Sequence, residues 1–292
     1  MKDKIADMKI SATDELNHRF FNAVTNKGGV MQLRVVVSPV GKEVKLDFNY
    51  YHKFSCAMYG KIEAVSPEFC HELHDGEHRS KIKLWALAPL NSKFTHIDKA
   101  NQSIVIHGSA EFTISSPWPE LLNNLGRGLT LDPELKIGNQ RFMVMGTKMM
   151  RPPKFTEEMT WQPVRNATIA VSWSERGEKF KKYFYPTDKQ CSELLAKNLF
   201  NKWLRLKEIR PDIADAFHSH DDAPLAVDLI KVTLPSEFRE KKHQVKKSFI
   251  RSWSTNQIKL EAPIALQRLA WASGLGEHNA QGFGLIQEAE QC

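Results

Sequence analysis

Cysteine is scarce in this 292-residue chain, and the four that occur, Cys56, Cys70, Cys191 and Cys292, are scattered. No two form a Cys-x-x-Cys pair, which excludes a zinc ribbon and a thioredoxin-like motif and fits a reducing compartment. Long apolar runs are missing as well: no stretch approaches the ~20 residues of a membrane-crossing helix. The opening Met1-Lys-Asp-Lys-Ile-Ala-Asp7 lacks the apolar core of a signal peptide. A cytoplasmic protein with no membrane partner is therefore expected. Glycine numbers only 15, and none opens a Gly-Lys-Ser/Thr sequence, so a P-loop is excluded. No Ser-His-Asp set can be located.

What is present is a globular composition with a basic bias. Hydrophobic residues make up 41% of the chain, too many for a disordered polypeptide, and the length suits two domains. Lys and Arg total 41 against 34 acids, a net charge of +7. That excess favours a polyanion such as nucleic acid but is modest enough to suit any basic soluble protein.

Hydrophobic periodicity divides the chain into elements. Residues 1–30 are polar, with one weakly amphipathic stretch from Leu16 to Val24, and read as an extension. Met31 to Val37 is β-branched and predicts a strand. Phe54, Met58, Ile62 and Val65 recur at helical spacing and predict a helix over Tyr50 to Val65. Ser66-Pro67-Glu68 is a helix start, with a Ser cap, Pro in the first turn and an acid behind it; Asp75-Gly76 ends that helix after His74. A strand follows over Lys81 to Leu90. Ile104–Ile106 and Glu111–Ile114 predict a hairpin around His107-Gly108. Pro119 to Leu125 reads as a helix closed by Gly126 or Gly128, and Arg141 to Met149 as a strand. After Arg151-Pro-Pro-Lys154 the order repeats: strands over Thr168–Trp173 and Lys181–Tyr185, a long helix over Thr187–Lys207, strands over Val227–Leu234 and Phe249–Leu260, a helix over Pro263–Ala272 and a strand over Phe283–Ile286. Strand–helix–strand–strand–helix–strand, twice, predicts an α+β fold of two tandem ferredoxin-like (RRM-like) domains, residues 31–152 and 155–292.

Four glycines, Gly274, Gly276, Gly282 and Gly284, fall within the eleven residues Gly274-Leu-Gly-Glu-His-Asn-Ala-Gln-Gly-Phe-Gly284. Glycine permits positive φ and close backbone approach, so the cluster signals a geometric demand. A helix C-cap followed by a turn accounts for one or two of them. A dinucleotide fingerprint needs strand, glycines, helix; here the order is helix, glycines, strand, and that reading fails.

This segment resembles the C-terminal glycine-rich signature loop of the CRISPR-associated endoribonucleases that cut precursor repeat RNA. The similarity continues in order along the chain: Asn49-Tyr-Tyr-His-Lys-Phe-Ser-Cys-Ala-Met-Tyr59 resembles the family's first helix and Phe69-Cys-His-Glu-Leu-His74 its second helix end. Lys83-Leu-Trp-Ala-Leu-Ala-Pro89 resembles the strand after it, and Ile114-Ser-Ser-Pro117, Leu121 to Gly128 and Ile137-Gly138 its mid-chain signature. The resemblance implies cleavage of CRISPR repeat RNA with no metal and no cofactor, the 2′-hydroxyl attacking the adjacent phosphate to leave a 2′,3′-cyclic phosphate and a 5′-hydroxyl. Such chemistry needs a base, an acid and a cation. By the resemblance these are His74 as base, Tyr59 orienting or protonating the leaving group, and Lys81 or Lys83 stabilising the charge. His52, on the face of Tyr59, is a second candidate, with His71 and His78 behind it. Taken without the family, His74 suits a charge at a helix C-terminus and Tyr59 a packing residue. The partners implied are precursor and processed guide RNA, and a CRISPR effector complex. A non-catalytic RNA-binding subunit of such a complex is the competing reading.

Arg239, Lys241, Lys242, Lys246, Lys247 and Arg251 fall within thirteen residues holding one acid, Glu240, and interleave with Phe238, Phe249 and Trp253. Cations mixed with aromatics suit phosphate contact plus base stacking; a solvated lysine-rich loop is the plainer alternative. Arg176, Lys179, Lys181 and Lys182 form a smaller cluster. The four glycines and His278 of the tail segment are further candidates for RNA contact. His218-Ser-His220-Asp-Asp222 has no further ligand at a useful spacing, which disfavours a metal site.

Overall fold

The structure is a computed structural model that describes residues 31–75, 82–93, 95–174, 181–218, 223–245 and 248–290. The extension with its Leu16–Val24 stretch, Lys81, the pair Lys246 and Lys247, Arg176 and Lys179, and His78 and His220 lie outside the described residues. Only the backbone of His74 is described.

The first half consists of β1 (Met31–Pro39), β2 (Val44–Asp47), α1 (Tyr51–Glu63), α2 (Pro67–Asp75), β3 (Ala86–Leu87), β4 (Thr95–Asp98), β5 (Ser103–Ile106), β6 (Ala110–Ser116), α3 (Pro119–Leu131), β7 (Glu134–Ile137) and β8 (Gln140–Met150). Its main sheet runs β3-β6-β1-β8-β7, all antiparallel. Leaving aside the edge strand β7, this places the second, third, first and fourth strands side by side, the ferredoxin-like order. β1 is central because Leu33, Val35 and Val37 alternate toward the core and are fully buried. Phe54, Met58 and Ile62 of α1 pack into the same core.

The second half consists of β9 (Glu158–Pro163), β10 (Ser172–Trp173), β11 (Lys182–Tyr183), α4 (Lys189–Ile209), α5 (Pro211–Phe217), β12 (Lys231–Thr233), β13 (Arg239–Val245), β14 (Ser248–Ser254), β15 (Ile258–Glu261), α6 (Ile264–Ser273) and β16 (Ile286–Glu288), with two short 3₁₀ turns. Its main sheet, β12-β15-β9-β16, again has the second, third, first and fourth strands in that order. Two ferredoxin-like domains in tandem are thus present. β13–β14 and β10–β11 are separate hairpins.

Several predicted elements differ in detail. Ile104–Ile106 and Glu111–Ile114 do not form a hairpin: β5 pairs with β2 and β4 in a separate three-stranded sheet, while β6 joins the main sheet. The strand expected over Lys81–Leu90 shrinks to two residues, with Pro89 just beyond them. The helix from Pro119 runs through Gly126 and Gly128 to Leu131. A Cβ on Gly128 would lie 2.0 Å from the Lys61 carbonyl oxygen, so this glycine lets α3 cross α1 closely and does not stop the helix. Phe249–Leu260 is two strands in two different sheets, and the last strand begins at Ile286.

The domains are tied at several points. Gln32 on β1 donates from Nε2 to the Trp271 and Ile286 carbonyls, both at 3.1 Å. Arg210 forms a bidentate pair with Glu120 at 2.9 and 3.0 Å.

Candidate functional site

Tyr59 lies in the penultimate turn of α1, half-buried. Its ring stands edge-on to Trp85, with centroids 5.4 Å apart. Trp85 donates from Nε1 to the Tyr59 hydroxyl oxygen at 3.4 Å. Indole nitrogen only donates, so the phenol oxygen is the acceptor in this bond. Burial raises its pKa above the ordinary value, the Trp85 bond opposing that only partly. At neutral pH Tyr59 is therefore an acid, not a base.

Cys70 on α2 points its sulfur at the Tyr59 carbonyl (3.6 Å), which holds α2 against the end of α1. The last turn of α2 contains His74. Lys83 donates from Nζ to the carbonyl of Leu73 at 2.7 Å, satisfying one of the carbonyls left over at this helix end. Lys83 is thus fixed against the end of α2 that bears His74, and Tyr59 is tied to the same segment through Trp85, two residues after Lys83. His52 sits two turns of α1 before Tyr59, roughly 10 Å along the axis, with its ring nitrogens 3.8 and 3.9 Å from the Cys56 sulfur. It shares the half-buried side of α1 with Tyr59 but not the cluster around Trp85. His71 is exposed on α2.

The glycine segment is an internal joint. Gly274, Gly276, Gly282 and Gly284 are all buried and all have φ between +68° and +97°. A Cβ on Gly284 would meet the Leu275 oxygen at 2.0 Å, and one on Gly282 the ring of Tyr51 at 2.4 Å. In this conformation the four glycines face protein, so direct contact of their backbones with RNA has no open surface here. Asn279 spans the segment from within, donating to the Leu275 and Phe283 carbonyls at 3.0 and 3.2 Å. Lys202 reaches it from α4, donating to Gly274 O at 2.6 Å, Asn279 Oδ1 at 2.8 Å and Ser273 O at 3.3 Å. Burial lowers the Lys202 pKa to about 7, Glu277 opposing the shift. His278 has a left-handed backbone (φ 58°) and sits half-buried, its Nε2 3.8 Å from Glu277; burial, then Lys181, lowers its pKa.

The basic segment is the hairpin β13–β14, not a loop. Arg239, Lys241, Lys242 and Arg251 are exposed, and Lys242 lies 4.0 Å from the centroid of the Phe249 ring. His243, two residues along the strand from Lys241, turns inward. It meets Tyr51 and Phe283 edge-on at 5.1 and 5.0 Å, and Tyr51 stacks on Phe283 at 5.8 Å. Burial, reinforced by Lys241, lowers the His243 pKa to about 4. Hairpin, glycine segment and α1 thus meet at one aromatic cluster spanning both domains.

Sequence alone does not single out Lys202 or His243, though each leaves a signal there. Lys202 occupies the stripe position between Leu199 and Leu206, where an apolar residue is expected. His243 follows Arg239 and Lys241 at period two, which gives a strand. His218 bonds the Ala223 carbonyl at 2.8 Å, and no group of three or more metal-ligating side chains occurs among the described residues. Among those residues no helix is long and apolar enough to cross a membrane.

Comparison with known proteins gives a consistent result. Residues 45–148 match the family model described as CRISPR-associated protein Cas6, N-terminal, and residues 150–288 its C-terminal counterpart. The CRISPR-associated endoribonuclease Cas6 1 of Methanocaldococcus jannaschii is 26% identical over 248 residues, covering 84% of this chain and 88% of that one. The CRISPR-associated endoribonuclease Cas6 of Pyrococcus furiosus is 20% identical over 262 residues, covering 87% and 88%. The solved structure of a Cas6-related gene product from Pyrococcus furiosus superposes with a TM-score of 0.74 at 21% identity over 90% of this chain and all of that one. A RAMP protein described as binding different RNA substrates superposes at 0.72, with 20% identity and 89% and 100% coverage.

Proposed function

The chain belongs to the family of CRISPR-associated Cas6 proteins, and from that premise we propose that it is a metal-independent endoribonuclease. Its substrate is the repeat RNA of precursor CRISPR transcripts, which it cuts into guide RNAs. The single observation that best supports this is that Lys83 is bonded to the His74-bearing end of α2 while Trp85, two residues on, is bonded to Tyr59. Tyr59, His74 and Lys83 are the acid, the base and the cation that cleavage by the 2′-hydroxyl requires.

In this reading His74 takes the proton of the 2′-hydroxyl, whose oxygen attacks the adjacent phosphorus. The bond to the 5′-oxygen breaks, and Tyr59, kept protonated by burial, hydrogen-bonds or protonates that leaving oxygen. The products are a 2′,3′-cyclic phosphate and a 5′-hydroxyl. Lys83 spends one donor on the Leu73 carbonyl, which holds its ammonium at the helix end where the phosphate charge grows; Lys81 stands two residues before it in the chain. His52 is the alternative base on α1. The chemistry belongs to residues 31–152, while residues 155–292 hold the RNA with the exposed cations of β13–β14, Arg239, Lys241, Lys242 and Arg251, together with Lys246 and Lys247 between the strands.

Incubating the protein with repeat RNA in excess chelator tests the proposal. Wild type should cleave, and His74→Ala should bind without cleaving. Full cleavage by His74→Ala would remove that residue from the mechanism, and loss of wild-type activity in chelator would refute metal independence. Wild-type binding without any cleavage would favour the non-catalytic subunit.

A further inference from the structure

The chain has seven tryptophans. Six of them, Trp85, Trp118, Trp161, Trp203, Trp253 and Trp271, are at most 7% exposed; Trp173 is 55% exposed. A single exposed aromatic needs no explanation by itself, but this one stands over a groove. Two cavities, of about 360 and 160 Å³, run along α4, and Trp173, Leu194 and Lys197 line both. The indole thus borders both cavities.

The larger cavity is also lined by Asn198, Asn201 and Glu277. Asn198 Oδ1 is buried and accepts no hydrogen bond among the described residues, an arrangement that costs free energy unless an N–H donor arrives. Glu277 is not an open negative charge: Ser172 and Lys181 donate to its Oε2 at 2.6 and 3.0 Å. Lys182 is the cross-strand partner of Trp173. Its ammonium lies 5.0 Å from the centroid of the Phe184 ring, and the neighbouring hairpin carries an exposed aromatic beside a cation of its own, Phe249, 50% exposed, under Lys242. The two hairpins are joined where Tyr183 donates from its hydroxyl to the Phe249 carbonyl at 3.2 Å.

We infer that this groove is a nucleobase subsite, in which an unpaired base of bound RNA stacks on Trp173 and offers an N–H to Asn198 while Lys182 and Lys197 meet its phosphates. Stacking platforms flanked by cations are how proteins hold single strands. The wall mixes apolar side chains, Leu194, Phe200 and Val227, which suit the face of a base, with amides and an unsatisfied acceptor, which suit its polar edge. The assignment rests on the chain being an RNA-binding protein, and it adds a site remote in sequence from both Tyr59 and β13–β14.

Because the other six indoles are buried, acrylamide quenching of tryptophan fluorescence reads Trp173 selectively. Saturating repeat RNA should shield the quenchable fraction, a short unstructured oligoadenylate should do the same more weakly, and Trp173→Phe should lack the signal altogether. Trp173→Ala should bind repeat RNA more weakly by roughly five- to a hundredfold, while Trp173→Phe keeps most of the affinity. Repeat RNA that binds wild type but leaves quenching unchanged, or binds Trp173→Ala with wild-type affinity, overturns the subsite and leaves the endoribonuclease reading standing. Wild type that binds no repeat RNA overturns both. Shielding that follows protein concentration without RNA gives the groove to a second copy of the chain and overturns the base.

Discussion

Replacing Gly282 by alanine tests whether the glycine segment is a joint between the domains. Two costs should arise. Gly282 has φ +97°, and a left-handed backbone costs an L-residue about 1–2 kcal/mol. Its new methyl would lie 2.4 Å from Cδ1 and 2.8 Å from Cε1 of Tyr51. That ring cannot swing aside, because Tyr50 stacks on it at 4.8 Å and Phe283 at 5.8 Å. Forcing a methyl group into such packing costs about 1–3 kcal/mol more. Gly282→Ala should therefore lose roughly 2–5 kcal/mol in all, less a few tenths returned by the stiffer unfolded chain. In a Tyr51→Ala background the second cost disappears and only about 1–2 kcal/mol remains. Urea titration of the four proteins closes the cycle, with the midpoints shifting and the slope unchanged. The expected coupling is about 1–3 kcal/mol in favour of the double variant. Equal effects of Gly282→Ala in both backgrounds would show that the Tyr51 ring offers the methyl no resistance, and would refute the joint as a tightly packed contact.

Three further outcomes are expected. Tyr59→Phe keeps the packing against Trp85 and should slow single-turnover cleavage by on the order of a hundredfold without weakening RNA binding; unchanged cleavage would take Tyr59 out of the chemistry. Alanine at Arg239, Lys242 or Arg251 should each flatten the salt dependence of RNA affinity by about 0.7 for every phosphate left without its cation, and an affinity indifferent to salt in wild type would refute the hairpin as a phosphate surface. Lys202 has its folded pKa lowered from 10.5 to about 7, so between those values the unfolded chain binds more protons and stability rises with pH. Measured by urea, wild type should therefore gain on Lys202→Met from pH 7 to pH 10, by up to about 1.4 kcal/mol per pH unit; a constant gap would mean that the ammonium is no more costly in the fold than in water.

Local pattern makes the helices legible and the pairing of strands much less so. Phe54, Met58 and Ile62 announce α1, and Ser66-Pro67-Glu68 announces α2, because spacing and caps are short-range physics. β9 is hidden: Met159 and Trp161 alternate inward, but only between Glu157-Glu158 and the proline at 163, too short a run to stand out. Which strand β5 pairs with is decided across the sheet, by Val44 and Leu46, and no window around Ile104 contains them. Gly128 reads as a helix stop because glycine usually is one; its use in helix crossing depends on Lys61, sixty-seven residues earlier. Tyr59 and Lys83 are legible through the family resemblance alone. Trp173, His243 and Lys202 are not, because what distinguishes them is where each is exposed or buried, which is a property of the assembled chain.

Helix α1 connects the joint to the candidate site. Tyr51, in its first turn, is held by Gly282, Phe283 and His243 of the second domain; Tyr59, eight residues on, stands beside Trp85 at the end of α2. Eight residues of helix span about 12 Å, and so short a rod moves as a unit. A methyl group at Gly282 must therefore either lift the glycine segment or displace α1, and the second takes Tyr59 with it. The segment is the better anchored of the two, with Lys202 giving it hydrogen bonds at 2.6, 2.8 and 3.3 Å from beneath and Asn279 giving two from within. Gly282→Ala should thus lower the cleavage rate at saturating RNA, on the order of tenfold to a hundredfold for a shift near 1 Å, and leave RNA affinity nearly unchanged. Weakened affinity with an unchanged saturated rate would show the opposite: the segment yields, α1 stays, and the joint serves RNA binding instead of the alignment of Tyr59.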